Sequence, residues 1–436
     1  MLSDADIAVV ARDPVLPGLA VLLDPDRLLD ELNRLLPDRR PVTATITYLR
    51  YKPGTSCLAG LRLGTTDGTV ELSAKAYRAE IYAEASARTE RPRLTTWLGP
   101  SCLRLDRQLI IFRGFPHDRK LKALVRLFDA ERGRELLCEM LPDRPDLWVG
   151  EIKVIRYKPE RRLVAVLDQE GRPGASLKAY DKDDFPAAAH DAFDSGGRVR
   201  APRRLGSHPE LQIIARDWLE GQSLHLRMFR PGFDPACCRA VGAALAHLHG
   251  QEGRALPERP ARADSEAALA SAGMVAKLLP ALAERVRNLA LTTASALGSA
   301  CSWSKPIHGD FSADQVVLGD RTVGVIDFDH ASRGDPASDL GTFLAKLEVM
   351  IIDGLLDRGV AEATGAALCD GYRSEASSLE WPRVTKHTAL GLLRLAPEGF
   401  RARIADWPTR TEMIIDRADA LMLSLRRART TLATAG

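Results

Sequence analysis

The chain lacks the marks of several protein classes. Its seven cysteines are odd in number and scattered, with no CxxC pair. Cys237 and Cys238 are adjacent, a poor geometry for bridging each other. The set argues against a disulfide framework and suits reduced thiols. No apolar run approaches the roughly 18–20 residues needed to cross a bilayer. The opening Met-Leu-Ser-Asp-Ala-Asp lacks the basic-then-apolar order of a signal peptide. A formal charge of only +3 over 436 residues gives no reason to expect nucleic acid. The expectation is a cytoplasmic protein with neither a membrane nor a nucleic acid as partner.

What is present is the balance of a globular protein, 45% hydrophobic and 27% charged, with length for two or three domains. The stretch from Arg401 to Arg429 carries many arginines among apolar residues, the pattern of solvated faces on amphipathic helices.

The N-terminal half is written twice. Arg50-Tyr51-Lys52-Pro53 recurs as Arg156-Tyr157-Lys158-Pro159, an offset of 106. Leu36-Pro37-Asp38-Arg39 recurs as Leu141-Pro142-Asp143-Arg144 at 105, and Lys75-Ala76-Tyr77 as Lys178-Ala179-Tyr180 at 103. Ile110 to Arg113 aligns with Ile213 to Arg216, again at 103. Each copy opens with an amphipathic helix, expected over Asp24 to Leu36 and Asp129 to Leu141, with the two aspartates as N-caps. β-rich runs follow at Thr43 to Tyr51, Ser56 to Leu63 and Val70 to Tyr77, then at Glu151 to Tyr157, Leu163 to Asp168 and Ala175 to Tyr180. A last strand is expected at Leu109 to Phe112 and at Leu211 to Ala215. From about Gln222 the pattern is helical: Asp234-Pro235 reads as a cap and first position, and Gly250 as the stop of a helix ending at His249. Helices are expected again over Glu266 to Ser299 and from Asp339 onward.

Between them, His308-Gly309-Asp310-Phe311-Ser312-Ala313-Asp314-Gln315 precedes Val323-Gly324-Val325-Ile326-Asp327-Phe328-Asp329. Phosphoryl transfer needs a carboxylate to orient an acceptor hydroxyl and oxygen ligands for magnesium between phosphates. Asp310, an amide five positions on at Gln315, and Asp327 after a short apolar strand supply that set. They fall where the kinase signature H-R-D, four residues, Asn, then D-F-G places its functional groups.

The segment resembles the aminoglycoside phosphotransferase and choline kinase branch of the protein-kinase-like fold, which writes H-G-D. Trp218-Leu219-Glu220-Gly221 resembles its hinge, Leu245-Ala246-His247-Leu248-His249 the helix after it, and Gly334-Asp335-Pro336-Ala337-Ser338-Asp339-Leu340 the segment beyond its metal-binding aspartate. The resemblance implies an α+β fold with an antiparallel-sheet lobe and a mostly helical lobe, preceded here by a second sheet-lobe copy. The divisions expected are 1–120 as a cap-like first copy, 121–221 as the nucleotide-binding copy and 222–436 as the helical catalytic lobe.

It further implies ATP and magnesium as cofactors and a small-molecule hydroxyl as acceptor. Asp310 becomes the catalytic base, Gln315 and Asp327 the metal ligands, and Lys178 the contact to the α- and β-phosphates. The stretch from Ile213 to Leu219, with Ile214, Asp217 and Trp218, would accept the adenine. Asp339 would brace the catalytic loop and His308 support it. Asp335 reads as a helix cap, and His247 and His249 as core histidines. Asp329 is open to either a structural or a ligand role. Homodimerisation is left open.

Three departures qualify this. Glutamine replaces the usual metal-binding asparagine, although its amide oxygen can still serve a hard cation, and bacterial maltokinases resemble this chain there. The phosphate-covering turn Lys158-Pro159-Glu160-Arg161-Arg162 has no glycine, so either Arg161 and Arg162 would meet the phosphates by side chain or the turn would sit away from them. No glutamate closely follows Lys178; Asp183, Asp184 and Asp191 are candidate partners, whereas the first copy offers Glu80 and Glu84 to Lys75. The missing glycines and Gln315 lean slightly towards the alternative reading, a nucleotide-binding pseudokinase or scaffold, while the complete set of Asp310, Asp327 and Lys178 argues against it. For the acceptor, Arg394, Arg401, Arg403, Arg410 and Arg417 lean towards a neutral or anionic molecule.

Overall fold

The computed structural model describes residues 1–87, 95–99, 102–191, 193, 199–253, 255–260, 262–298, 304–320, 322–376 and 379–434. Ser299, the expected end of one helix, lies outside the described residues. The chain forms two compact units. One comprises Met1–Pro186, Arg204–Trp218 and Phe400–Ala405; the other comprises Ala187–Arg203, Leu219–Gly399 and Asp406–Gly436. The fold is α+β, with both large sheets in the first unit and most helices in the second.

The first unit contains two five-stranded antiparallel sheets of the same order. One runs Thr43–Lys52, Ser56–Thr65, Gly68–Tyr77, Ile110–Gly114, Leu103–Leu105; the other runs Glu151–Lys158, Arg162–Gln169, Arg172–Tyr180, Ile213–Asp217, Arg204–His208. Period-two alternation marks the first strand of each sheet, whereas Ser56–Thr65, Gly68–Tyr77 and Arg162–Gln169 are buried on successive residues, the pattern of strands covered on both faces. The first strand of each sheet carries a register shift, between Ile46 and Tyr48 in one and, two residues later in the repeat frame, between Val154 and Arg156 in the other. A helix precedes each sheet, Pro25–Leu35 and Ala130–Met140. Asp24 caps the first by accepting from the Asp26 and Arg27 amides, and Asp129 caps the second by accepting from Arg132. Leu28 and Leu32 are wholly buried on the first helix, and Leu136 and Leu137 on the second.

The equivalence extends to a contact invisible in the linear motifs. The Tyr51 hydroxyl donates to Asp13 at 2.8 Å, and the Gly54 amide donates to the same oxygen at 2.8 Å. In the second sheet Tyr157 donates to Asp118 at 2.7 Å, and the Glu160 amide donates to it at 2.8 Å. Gly54 and Glu160 thus hold one turn position, both left-handed, at φ 71° and 55°.

In the second unit, Asp234 accepts from the Ala236 amide and starts a 3-10 turn that continues as the helix Cys238–His249. Gly250 ends that helix at φ −83°, so its left-handed freedom is not used. The expected helical stretch from Glu266 is two helices, Ala263–Leu278 and Ala283–Leu297, parted where Pro280 removes a backbone donor. A core of Leu245, Phe311, Val316, Val325, Leu340 and Phe343 lies beneath the segment that carries Asp310. No helix among the described residues is long and apolar enough to cross a membrane.

Candidate active site

The segment around Asp310 is a loop leading into a short hairpin. Lys305–Ile307 pairs with Ser332–Gly334, and Val316–Leu318 pairs with Val323–Val325. The hairpin register sets Val316 opposite Val325, and the Ile326 amide donates to the Gln315 carbonyl at 2.9 Å. Gln315 and Asp327 therefore leave the same end of one hairpin. Asp327 is left-handed, φ 68° and ψ 55°, a conformation that aspartate tolerates better than most residues and that recurs at functional sites.

Asp339, in the first turn of the helix Ala337–Ile352, pins the loop. Its wholly buried carboxylate accepts the His308 amide at 2.7 Å and the Gly309 amide at 2.8 Å. It also accepts from His249 Nε2 at 3.0 Å, while His249 Nδ1 meets the Tyr372 hydroxyl at 2.9 Å. Burial works against ionisation of Asp339, but His249 and His308 carry its carboxyl below the usual range. His308 Nε2 donates to the Ile326 carbonyl at 2.9 Å, and its Nδ1 accepts the Asp310 amide at 3.3 Å. The loop is thereby tied to the hairpin that bears Asp327. Gly309 is required here: at φ 83°, an added Cβ would lie 2.2 Å from the His330 carbonyl oxygen.

The Asp310 side chain is 40% exposed. Lys346, on the same helix as Asp339, reaches the loop from its other side. Its ammonium donates to Ser312 Oγ at 2.8 Å and lies 3.5 Å from Asp310 Oδ1 and 3.7 Å from Asp314 Oδ1. Ser312 in turn donates to Asp314. Burial alone would raise the Asp314 carboxyl, yet Lys346 and Ser312 hold it below the usual range. Gln315 is buried, and its amide nitrogen donates to Asp314 Oδ2 at 3.1 Å, which turns its oxygen the other way. Sequence reasoning missed Lys346, although a signal existed. It follows Asp339 by seven residues, two helical turns, and so shares its face.

Asp335 caps as expected, one position further out: it accepts the Ala337 amide at 3.0 Å, and Pro336 is the cap residue itself. Arg383 and His387 also meet it, and its carboxyl falls to about 2 against the opposing effect of burial. His249 is buried as expected, but His247 is exposed, because it lies on the outer face of Cys238–His249.

In the first unit, Lys178 is half-buried on Arg172–Tyr180, in register with Val164 and Ile214. Ile214 is buried, Asp217 ends its strand and Trp218 is 36% exposed. The division between the two units falls directly after Trp218, within the stretch expected as a hinge. The glycine-free turn does not present its side chains as a free rim. Arg161 pairs with Asp184 at 3.1 Å, and Asp183 lies 3.4 Å from Lys120. Arg162 begins its strand, paired with Tyr180. Pro159 packs where a Cβ on Gly60 of the first sheet would stand 3.0 Å from its ring. Glu160 is buried and accepts from Lys75 at 2.7 and 3.0 Å, from Arg119 at 2.8 Å and from Arg50 at 3.1 Å. The partner of Lys75 is therefore Glu160 rather than Glu80 or Glu84, because the left-handed turn aims that carboxylate at the first sheet.

The loop and hairpin carry the residue types that phosphoryl transfer needs. Residues 186–377 match the model of the phosphotransferase enzyme family. No curated protein matches the chain. Among solved structures it is similar to a choline/ethanolamine kinase family protein from Mesorhizobium loti, at 18% identity and TM-score 0.47, covering 67% of this chain and 94% of that one. It is also similar to choline kinase from Cryptosporidium parvum, at 12% identity and TM-score 0.47 over 69% of this chain and 97% of that one. A glucosamine kinase in complex with glucosamine, ADP and inorganic phosphate matches at 15% identity and TM-score 0.44, over 97% of this chain and 100% of that one.

Proposed function

We propose that the chain transfers the γ-phosphoryl group of ATP, with magnesium, to a hydroxyl of a small molecule such as a sugar, aminoglycoside or related metabolite. The observation that carries this is the loop held by Asp339, which presents Asp310 while Gln315 and Asp327 leave one end of the adjoining hairpin. Asp310 orients the acceptor hydroxyl and takes its proton as the oxygen bonds to phosphorus and the bond to the ADP oxygen breaks. An amide oxygen and a carboxylate are hard donors of the kind magnesium takes, completed by phosphate oxygens and water. When bound, the cation would neutralise charge on the phosphates. In this reading Lys178 contacts the α- and β-phosphates and the strand with Ile214 and Asp217 leads to the adenine contacts.

The first sheet is read as a non-catalytic copy of the second, supported by their common strand order and the matched Tyr51–Asp13 and Tyr157–Asp118 bonds. The lean towards a neutral or anionic acceptor loses much of its basis. Arg403 pairs with Asp6, Arg410 with Asp353 and Arg417 with Glu348.

The test is magnesium-dependent ATP consumption by the full chain with glucose, kanamycin and choline as acceptors, for wild type and Asp310→Asn. Stimulated turnover in wild type, reduced at least about 10²-fold in the variant, is expected. Nucleotide binding with no turnover would favour the pseudokinase alternative.

A further inference from the structure

We propose that Lys346 is a positioning residue for phosphoryl transfer, holding the Asp310 carboxylate in its working orientation through a lysine-centred clamp on the catalytic loop. The inference rests on the phosphotransferase reading above and adds to it a residue that no loop motif contains.

The helix Ala337–Ile352 grips the loop at two points. At its first turn, Asp339 takes the backbone amides of His308 and Gly309. Two turns later, about 10 Å along the axis, Lys346 takes the side chains that follow. An ammonium has three N–H donors and no acceptor. Here it faces three oxygens, Ser312 Oγ at 2.8 Å, Asp310 Oδ1 at 3.5 Å and Asp314 Oδ1 at 3.7 Å. The Ser312 hydroxyl donates a hydrogen bond to Asp314, so the three loop side chains close into one network around a single cation.

The chemistry requires such a hold. Asp310 is 40% exposed, and a free carboxylate would sample several rotamers. An acceptor hydroxyl must meet one oxygen in line with the phosphorus, and a misplacement of about 1 Å costs on the order of 10²-fold in rate. Lys346 attracts Oδ1 across 3.5 Å, and in this proposal Oδ2 is the oxygen that meets the hydroxyl. The bland alternative is a surface ion pair that contributes little to anything. It predicts no effect on turnover, which separates the two readings.

The full chain is compared as wild type, Lys346→Met, Lys346→Arg and Asp310→Asn, using ATP with magnesium and glucose, kanamycin and choline as acceptors. The expected result is a kcat lowered about 10²-fold in Lys346→Met with KM for ATP within about twofold. Lys346→Arg should return to within about tenfold of wild type, since it keeps the charge, and both should melt close to wild type. An active wild type and inactive Asp310→Asn, with Lys346→Met turning over normally, would overturn this inference and leave the phosphotransferase reading standing. A wild type without turnover on any acceptor would remove both. Should Lys346→Met melt early, Lys346→Gln and Lys346→Arg are compared at a temperature where both are folded, and equal rates would overturn the proposal.

Discussion

Glu160 lies against Lys75, carboxylate to ammonium at 2.7 Å, with side chains only 4% and 10% exposed. The two residues come from different sheets, 85 positions apart. Lys75 holds in the first sheet the register position that Lys178 holds in the second, each opposite the isoleucine-bearing strand that follows. One lysine is therefore closed off by an internal carboxylate, and a glutamate placed at a left-handed turn does the closing.

Removing one partner of this pair leaves an uncompensated charge in a buried place. Glu160→Ala is expected to lower unfolding stability by about 3–5 kcal/mol and Lys75→Met by a similar amount. The double variant should cost less than the two singles together, because it leaves neither member of the buried pair without the other, although Arg119 and Arg50 still lose the carboxylate. Denaturant unfolding of the four proteins measures the coupling, and simple additivity would show that the pair contributes nothing specific.

The same carboxylate predicts a pH dependence. Burial pushes the Glu160 carboxyl up, but hydrogen bonds and charge from Arg119 and Lys75 outweigh it and bring the value from 4.5 down to about 2. A depressed carboxyl contributes stability that is fully present above about pH 4.5 and is lost as pH falls towards 2. The depression corresponds to about 3 kcal/mol. Wild type should therefore outlast Glu160→Gln at neutral pH by a margin that narrows steadily below pH 4.5 and closes near pH 2. Melting temperatures of both proteins across that range test it. A margin independent of pH would place the stabilisation elsewhere.

Local patterns were legible in the sequence, and partners across long separations were not. The capped helices Pro25–Leu35 and Ala130–Met140 and the strands after them follow from caps and alternation. Asp310, Gln315 and Asp327 could be singled out because one loop and one hairpin set their spacing. Asp339 was readable by family pattern, and Lys346 by its helical spacing from Asp339. Glu160 was unreadable as a partner of Lys75. Its direction depends on a left-handed turn and on two sheets meeting, neither of which a linear pattern records. The Asp13 and Asp118 contacts were hidden for the same reason, since each lies about forty residues before its tyrosine in an irregular stretch.

Gly309 and Gly54 offer a controlled comparison of what glycine does in this chain. Both are left-handed, at φ 83° and 71°. At Gly54 an added Cβ would meet nothing within 4 Å, whereas at Gly309 it would meet the His330 carbonyl oxygen at 2.2 Å and its carbon at 2.9 Å. Gly54→Ala should therefore cost only the backbone preference, about 1–2 kcal/mol. Gly309→Ala carries that cost and must also displace a backbone carbonyl beside the loop that holds Asp310. Its stability loss is expected to exceed that of Gly54→Ala, and its turnover to fall at least about 10²-fold because Asp310 moves with the loop. Unfolding curves and ATP consumption of the two variants check this together. Equal losses in both would mean that the loop relaxes around the methyl group and that the close approach of His330 does not hold Asp310 in place.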